Sequence, residues 1–143
     1  MEREILFRAK AINRDIGSHR TNYKNGDWIY GLVTRLYDNR FENLPAEMRN
    51  LSGVNGIEIN HKTIGQYTGL TDKNGTKIFE GDIVKNSRFN KIEEVRYIDK
   101  RKRIMFCGIN YIVDLEYINE IYYEVIGNIY DNPELLEDGE KDD

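Results

Sequence analysis

The stretch from Gln66 to Lys85 constrains the fold most strongly, because it combines turn and strand signals at close spacing. Asn74-Gly75 predicts a two-residue type I′ turn, since both central positions of that turn need a positive φ. Glycine adopts a positive φ freely, and asparagine tolerates it better than most residues. The flanking segments, 66–71 and 77–80, are therefore the predicted arms of a β-hairpin.

The same stretch contains a second bend at Gly81 and Asp82. We expect the side chains of Asp72 and Asp82 to accept hydrogen bonds from backbone groups of these two turns. The β-branched pair Ile83-Val84 predicts a new strand that leaves the second bend in a different direction. Short strands joined by two close bends indicate a small, strongly curved barrel, so the predicted fold class is mainly β.

The rest of the chain adds further strands and little helix. Alternating, β-branched or aromatic runs predict strands at 5–12, 27–36, 57–59, 93–99, 103–107, 109–113 and 122–130. Val95 and Tyr97 are expected on the buried face of their strand. Short helices are predicted at 43–51 and at 132–136, where Asn132 is the expected N-cap. A single helical turn is predicted within 114–120.

A length of 143 residues suits one domain or two small subdomains. The turn-rich segment 52–56 predicts a boundary between an N-terminal β subdomain, residues 1–56, and a barrel region, residues 57–136. Residues 137–143 are expected to form a disordered acidic tail. No apolar run approaches the roughly 20 residues of a membrane helix, and the N-terminus lacks the apolar core of a signal peptide. These features predict a cytoplasmic protein.

Two single residues have their own predictions. Cys107 is the only cysteine, which excludes an internal disulfide and a cysteine-based zinc site, and its apolar neighbours predict a buried thiol. Trp28 is the only tryptophan. It is expected to anchor the core, and the alternative is an exposed platform on which a base or a partner's ring stacks.

Several segments resemble the YopX-like family of bacteriophage and prophage proteins. They are residues 66–70, 72–75, 78–85, 124–130 and 132–136, and residues 7–9 and 26–31 stand where that family has its first strands. The resemblance covers nearly the whole chain. It implies a mainly β protein that contains an SH3-like barrel. Together with the strand and helix signals above, this predicts an SH3-like barrel with an N-terminal β extension and one or two short helices. The resemblance also implies a phage or prophage protein that works in the host cytoplasm, and it implies no established activity, catalytic residue or cofactor.

Charge is distributed unevenly along the chain. The whole chain carries −4, but Asp131–Asp143 contains seven acidic residues and one lysine, which leaves +2 on residues 1–130. The cations are densest at residues 100–103, a predicted hairpin tip that we call the basic hairpin. It is either a solvated turn or a phosphate-binding patch for nucleic acid. Tyr67 or Tyr97 would supply a stacking surface beside it, and the acidic tail would compete for it in cis. The candidate nucleic-acid contacts are Lys85, Arg96, Lys100, Arg101, Lys102 and Arg103.

A second function class is an enzyme. Glu80, Asp82 and Lys85 offer two carboxylates and a lysine at a spacing loosely similar to that of metal-dependent nucleases. The preferred interpretation is structural, because Asp82 lies in a turn and Glu80 at a strand end. His19 and His61 lie in predicted loops with no catalytic or metal-binding pattern around them. The sequence therefore predicts no enzyme, no metal and no cofactor.

The third class is a protein-interaction module that binds a host or phage protein through an exposed strand edge or an aromatic groove. Tyrosine suits such a surface, because it supplies contact area at low entropic cost and is compatible with water. The candidates are Tyr111, Tyr117, Tyr122 and Tyr123, of which at least two are expected in the core. Self-association through the same surface remains open. We therefore predict a non-enzymatic protein-interaction module. Nucleic-acid binding is the alternative function, and a metal-dependent nuclease is the remote alternative.

Overall fold

The structure is a computed structural model that describes residues 4–13, 23–38, 40 and 45–136. Within these residues the chain forms eleven β-strands, short 3-10 turns and a helical segment at residues 134–136. All strand pairs are antiparallel. The prediction of a mainly β fold is therefore confirmed.

The chain divides into two compact units, Met1–Gln66 and Tyr67–Asp143. The division lies later than the predicted boundary at residue 56, because the strand Ile57–Ile59 pairs with Ala46–Asn50 and belongs to the first unit. The strand Gly65–Thr71 runs through the division at Gln66. The predicted acidic tail, residues 137–143, lies outside the described residues.

The first unit is an antiparallel sheet with the strand order β4-β3-β2-β1-β5. Its strands are β1 (Phe7–Lys10), β2 (Trp28–Arg35), β3 (Ala46–Asn50), β4 (Ile57–Ile59) and the start of β5 (Gly65–Thr71). Small and medium-sized side chains from alternate strand positions form its core. They are Ala9, Ala11, Ile29, Ala46, Met48, Ile57 and Ile59.

Two residues of β2 show how closely these strands pack. A Cβ atom at Gly31 would overlap the backbone carbonyl of Arg49 on β3, so only glycine fits where these two strands meet. Trp28 is half-buried and is not part of the core, which corrects the predicted core anchor. The Arg8 guanidinium lies 4.5 Å from the centre of its ring, and the Lys10 ammonium lies 5.5 Å from it. Neighbouring cations therefore cover the aromatic face.

The second unit contains a five-stranded sheet with the order β10-β9-β8-β7-β11, so the last strand pairs with β7. Its strands are β7 (Asp82–Asn86), β8 (Lys91–Ile98), β9 (Arg103–Cys107), β10 (Ile112–Asp114) and β11 (Tyr123–Asn128). β6 (Lys77–Phe79) pairs with the later part of β5. The core consists of Ile78, Val84, Val95, Phe106 and Tyr123. The pairings among the described strands do not form a closed barrel.

The hairpin of β5 and β6 is present, but its turn differs from the predicted type I′. Gly75 has φ +83°, whereas the φ of Asn74 is not positive. The N–H of Gly75 donates to the Asp72 carbonyl over 3.0 Å, and the N–H of Asp72 donates to the Thr76 carbonyl over 2.8 Å. This is the pattern of a three-residue loop with a glycine bulge, which needs only one left-handed residue.

Asp72 holds this turn together, as predicted, and also reaches β11. Its Oδ1 accepts from the backbone N–H groups of Asn74 and Thr76, both over 2.9 Å. Its Oδ2 accepts from the N–H of Val125 over 2.9 Å. Burial alone would raise the pKa of Asp72, but the N–H donors of Val125, Thr76 and Asn74 outweigh burial and hold that pKa below its ordinary value.

The second bend has the predicted construction. Gly81 has φ +95°, and its N–H donates to the Val95 carbonyl over 2.7 Å. Asp82 is buried, and its Oδ2 accepts from the N–H of Phe79 over 2.7 Å. A new strand, β7, begins directly after this bend. The prediction that Asp82 serves turn backbone groups is confirmed.

The helix predictions were only partly right. Residues 46–50 form strand β3 instead of a helix, since they pair on both sides, with β2 and β4. Residues 41–44 lie outside the described residues. Residues 134–136 are helical, but the Asn132 Oδ1 accepts from the N–H of Asn128 over 3.2 Å and does not cap the helix. The helical turn predicted within 114–120 is a 3-10 turn, Leu115–Tyr117, and a second one follows at Glu120–Tyr122.

Candidate protein-binding pocket

A pocket of ≈ 460 Å³ opens in the second unit, where β7 and β11 meet at the pair Asn86 and Tyr123. Its lining comes from the paired ends of β7 and β11, from the turn after β7, from β8, from β10 and the residue before it, and from the segment with the 3-10 turns before β11. The lining residues are Asn86, Arg88, Phe89, Lys91, Tyr111, Val113, Tyr117, Asn119, Tyr122 and Tyr123. Half of them are aromatic, so the pocket is mainly an aromatic surface, which we call the tyrosine pocket.

The aromatic residues of the tyrosine pocket differ in depth. Tyr123 is buried and meets Phe106 edge-on, with ring centres 5.0 Å apart. Tyr122 is half-buried against the same core, whereas Tyr117 is 74% exposed and Tyr111 is 38% exposed. All four tyrosines named from the sequence therefore line one pocket. The expectation that at least two of them lie in the core was too high, because only Tyr123 is buried.

Local hydrogen bonds fix the segment that carries Tyr117, Tyr122 and Tyr123. Asn119 accepts at its Oδ1 from the N–H of Ile121 over 3.3 Å and so starts the second 3-10 turn. Glu120 of that turn accepts from the N–H and the hydroxyl of Thr71, over 3.0 and 2.6 Å. The carbonyl of Tyr122 accepts from the N–H of Ser87 over 2.8 Å. The pocket wall is thus tied to β5 and to the turn after β7.

Beneath the pocket lies a buried carboxylate, Glu93. Its side chain is 0% exposed, and its Oε2 accepts hydrogen bonds from the Tyr111 hydroxyl and, over 3.3 Å, from the Asn86 amide. Its Oε1 has no hydrogen-bond partner. Leaving such an atom unsatisfied costs on the order of 1–3 kcal/mol, and more when the group is charged.

Glu93 also influences the floor of the pocket. The Asn86 amide donates a second hydrogen bond to the Tyr123 hydroxyl, over 3.2 Å. Burial raises the pKa of Tyr123, and the nearby Glu93 raises it further. Tyr123 therefore keeps its proton across the physiological pH range. Asn86, Glu93 and the two hydroxyls form one polar network under an aromatic surface.

Two cations belong to the pocket lining. The Arg88 guanidinium lies 5.3 Å from the centre of the Phe89 ring and 5.5 Å from that of Tyr122. Lys91 is half-buried on β8, opposite Asn86. The lining contains no aspartate or glutamate. The carboxylate of Glu93 lies below the surface, and the two cations lie at it.

The sequence reasoning missed Asn86, Arg88, Phe89 and Glu93. For Glu93 a signal was available, because the alternation that predicts Val95 on the buried face of β8 also places residue 93 on that face. Arg88 and Phe89 lie in a turn, and the pairing of β7 with β11 brings them beside Tyr122 and Tyr123. That pairing is long-range and leaves no local sequence signal.

The candidate nucleic-acid contacts lie outside the tyrosine pocket. Lys100, Arg101 and Lys102 are exposed in the turn between β8 and β9, and Arg103 forms an ion pair with Asp114 over 3.3 Å. Lys85 and Arg96 are exposed on neighbouring strands. Two carboxylates share the sheet face that carries Lys85 and Arg96. Glu94 lies two residues before Arg96 on β8, and Glu124 on β11 pairs with Lys85. Nucleic-acid contact by these residues stays a prediction.

The two aromatic residues proposed to stack beside that basic patch have different surroundings. Tyr67 is buried, with its ring centre 5.5 Å from that of Phe79 and the Lys77 ammonium 5.4 Å from its own ring centre. Tyr97 lies on the same face of β8 as Val95 but is 43% exposed, so its predicted burial is wrong. Only Tyr97 is therefore accessible enough to stack on a base.

The residues considered for catalysis are dispersed. Asp82 is buried in its turn while Lys85 points to solvent, and no group of three or more His, Cys, Asp or Glu residues in the described part of the chain could hold a metal ion. His61 stacks on Tyr37 with ring centres 4.1 Å apart, and His19 lies outside the described residues. Cys107 is buried as predicted, and burial raises the pKa of its thiol.

Comparisons with known proteins extend over most of the chain. The profile of a family described as YopX protein matches residues 9–137. Among solved structures, the crystal structure of protein EF1440 from Enterococcus faecalis is similar, with 27% sequence identity and a TM-score of 0.55. That similarity covers 94% of this chain and 99% of the other. A search of curated proteins finds no match. In the described ranges, no helix has the length and hydrophobicity needed to cross a membrane.

Proposed function

We propose that this chain, which belongs to the YopX family, is a non-enzymatic module that binds another protein through its tyrosine pocket. The observation that carries the proposal is the convergence of five aromatic side chains on one pocket, two of them more than half exposed. Aromatic residues are enriched where proteins bind one another, and large exposed apolar patches are rare on monomeric proteins. The pocket is thus a surface suited to burial by a partner.

The energetics of the exposed aromatics agree with this role. Covering a large apolar side chain contributes roughly 1.5–3 kcal/mol, and Tyr117 and Phe89 are 74% and 64% exposed. A few such side chains usually supply most of the binding free energy of an interface. β10 lies at the edge of its sheet beside Tyr111, so a partner in extended conformation has backbone groups to pair with close to the pocket.

Further parts of this proposal come from the family resemblance. It supports a phage or prophage protein that acts in the host cytoplasm on a host or phage partner. We also propose an SH3-like barrel for the second unit, with the strands of the first unit as an N-terminal β extension. The meander β7–β8–β9, the 3-10 turns and the return of β11 onto β7 support a strongly curved sheet in this region.

The test is affinity capture from infected host cells with three forms of the protein: wild type, Tyr117→Ala and Tyr97→Ala. Tyr117 lines the pocket, and Tyr97 is an exposed tyrosine of the same unit that does not. We expect a stoichiometric protein partner that survives nuclease treatment, is retained by Tyr97→Ala and is lost with Tyr117→Ala. A partner that Tyr117→Ala retains fully would refute the pocket as the binding surface.

Self-association is tested by sedimentation of the purified protein over a concentration series. If the same surface joins two copies of this chain, wild type will dimerise and Tyr117→Ala will not. A monomeric wild type that also captures no partner would count against an interaction module altogether.

Nucleic-acid binding by the turn between β8 and β9 is the second candidate function. It is favoured by the exposure of Lys100, Arg101 and Lys102 in that turn. Its test is fluorescence anisotropy of duplex DNA against salt concentration, with all three residues changed to glutamine. If three phosphate contacts are lost, the slope of log K against log salt should fall by about 2.7, from about 0.9 per contact. Binding that is equally salt-dependent in the triple variant would exclude this hairpin as the site.

A further inference from the structure

We infer that the tyrosine pocket receives a positively charged side chain, lysine or arginine, from the partner protein. This inference rests on the proposed function and specifies the chemistry of the partner. Two independent observations support it: the aromatic walls and the buried carboxylate of Glu93 beneath them.

The aromatic walls attract cations. The faces of tyrosine rings carry partial negative charge, and a cation over such a face gains about 0.5–1 kcal/mol when exposed and about 2 or more when desolvated. The protein already shows this preference, because the Arg88 guanidinium lies over the rings of Phe89 and Tyr122. A partner's guanidinium or ammonium group would bind the same kind of surface.

Glu93 supplies the second observation. Its Oε1 is fully buried without a hydrogen-bond partner, and its Oε2 is contacted by Tyr111 and Asn86, both of which line the pocket. Tyr111 donates its hydroxyl proton to Glu93, so the Tyr111 oxygen remains an acceptor for a donor from above, and the carboxylate strengthens it. A cation in the pocket would compensate a buried negative charge through this hydroxyl.

The positive charges of Arg88 and Lys91 repel an incoming cation, whereas the negative charge of Glu93 attracts it. Which effect is larger depends on how strongly solvent screens each charge. At 4 Å, two unit charges interact by about 1 kcal/mol in bulk water and by about 4 kcal/mol at an effective dielectric constant of 20. Arg88 is exposed, so solvent and salt screen its repulsion most. Lys91 is half-buried and is screened less, whereas Glu93 is 0% exposed and acts through protein. The incoming cation would displace Arg88 from the aromatic faces, so removing Arg88 should strengthen binding.

The experiment is selection of a random peptide library displayed on yeast against the intact protein, with counter-selection against Tyr117→Ala. Enriched peptides that share one lysine or arginine, and that bind at least tenfold more weakly when it becomes alanine, are the expected result. Enrichment of peptides that share an acidic or purely apolar residue would overturn the cation inference and leave the proposed function intact. No enrichment over Tyr117→Ala would overturn both.

Variants of the protein locate the charge. For a selected peptide, Glu93→Gln should weaken binding by at least about tenfold, because it removes the buried charge and retains a hydrogen-bond acceptor. Glu94→Gln, on the other face of β8, should not change it, and Arg88→Gln should strengthen it. Unchanged affinity in Glu93→Gln, or weaker binding in Arg88→Gln, would contradict the inference. If Glu93→Gln does not fold, the Arg88→Gln result and the lysine-to-alanine peptide decide the question.

Discussion

Replacing Asp72 by asparagine should destabilise the second unit. Asp72 accepts three backbone hydrogen bonds, two within its own turn and one from Val125 on β11. Asparagine has only one acceptor oxygen, so its NH₂ group must face an N–H donor on one side. Losing one charge-assisted bond and weakening two others should cost about 2–4 kcal/mol of unfolding free energy.

The assay is urea denaturation followed by circular dichroism, together with hydrogen exchange of the Val125 amide. Asp99→Asn is the matched control, because Asp99 is exposed in the turn between β8 and β9. A loss of less than about 0.5 kcal/mol in Asp72→Asn, within the range of ordinary surface substitutions, would refute the role assigned to Asp72.

The same variant gives a test against pH. The pKa of Asp72 is lower in the folded state than its unfolded value of about 3.9, so the unfolded state binds more protons as pH falls. The contribution of Asp72 is therefore present above about pH 4 and is lost as pH falls through the folded pKa. Wild type and Asp72→Asn should differ by a constant amount at neutral pH, and the difference should shrink in acid. A difference that is independent of pH down to pH 2 would contradict this reasoning.

Three other outcomes are expected. Gly31→Ala should cost roughly 1–3 kcal/mol, measured by urea denaturation with fluorescence of the single tryptophan, because its Cβ would overlap the Arg49 carbonyl; a neutral effect would contradict the packing described. Cys107 should react with a thiol reagent only at the rate of the local unfolding that exposes it, because its thiol is buried and the pKa of that thiol is raised. Labelling at the rate of the unfolded chain would show an accessible thiol. Gly108→Ala should weaken partner binding without unfolding the protein, because its Cβ would overlap the Tyr111 ring; unchanged binding would show that the ring position is unimportant.

Local signals made the hairpins predictable. The arms of β5 and β6, the bend before β7 and the pair β8 and β9 all follow from alternation and turn residues within short windows. The turn at Gly75 was predicted in place but not in type, because an Asn-Gly pair fits both a two-residue loop and a bulged three-residue loop. The bonds made by Asp72 decide between them, and one of these reaches β11.

Tertiary pairing explains the remaining errors. The residues of segment 46–50 are compatible with a helix. They form a strand because β2 and β4 flank them, and Ala46 and Met48 therefore face the core at a spacing of two. The tyrosines of the candidate site were recognised by composition. Their partners Glu93 and Arg88 were not. Glu93 meets Tyr111 through the pairing of β8 with β9 and of β9 with β10, and Arg88 lies beside Tyr122 where β7 pairs with β11. Sequence therefore identified the surface of the pocket and missed its charges.

The pairing of β7 with β11 also has a consequence for synthesis of the protein. Asn86 and Tyr123 meet across 37 residues of chain, whereas β7, β8 and β9 are joined by short turns and can pair as soon as they are made. Closing a long loop is entropically costly, so β11 should add last, after the meander exists. The tyrosine pocket is lined from both sides of that closure. A chain that terminates before β11 would have most of its strands but would lack Tyr123 and the pairing of β11 with β7, so partner binding would favour completed molecules.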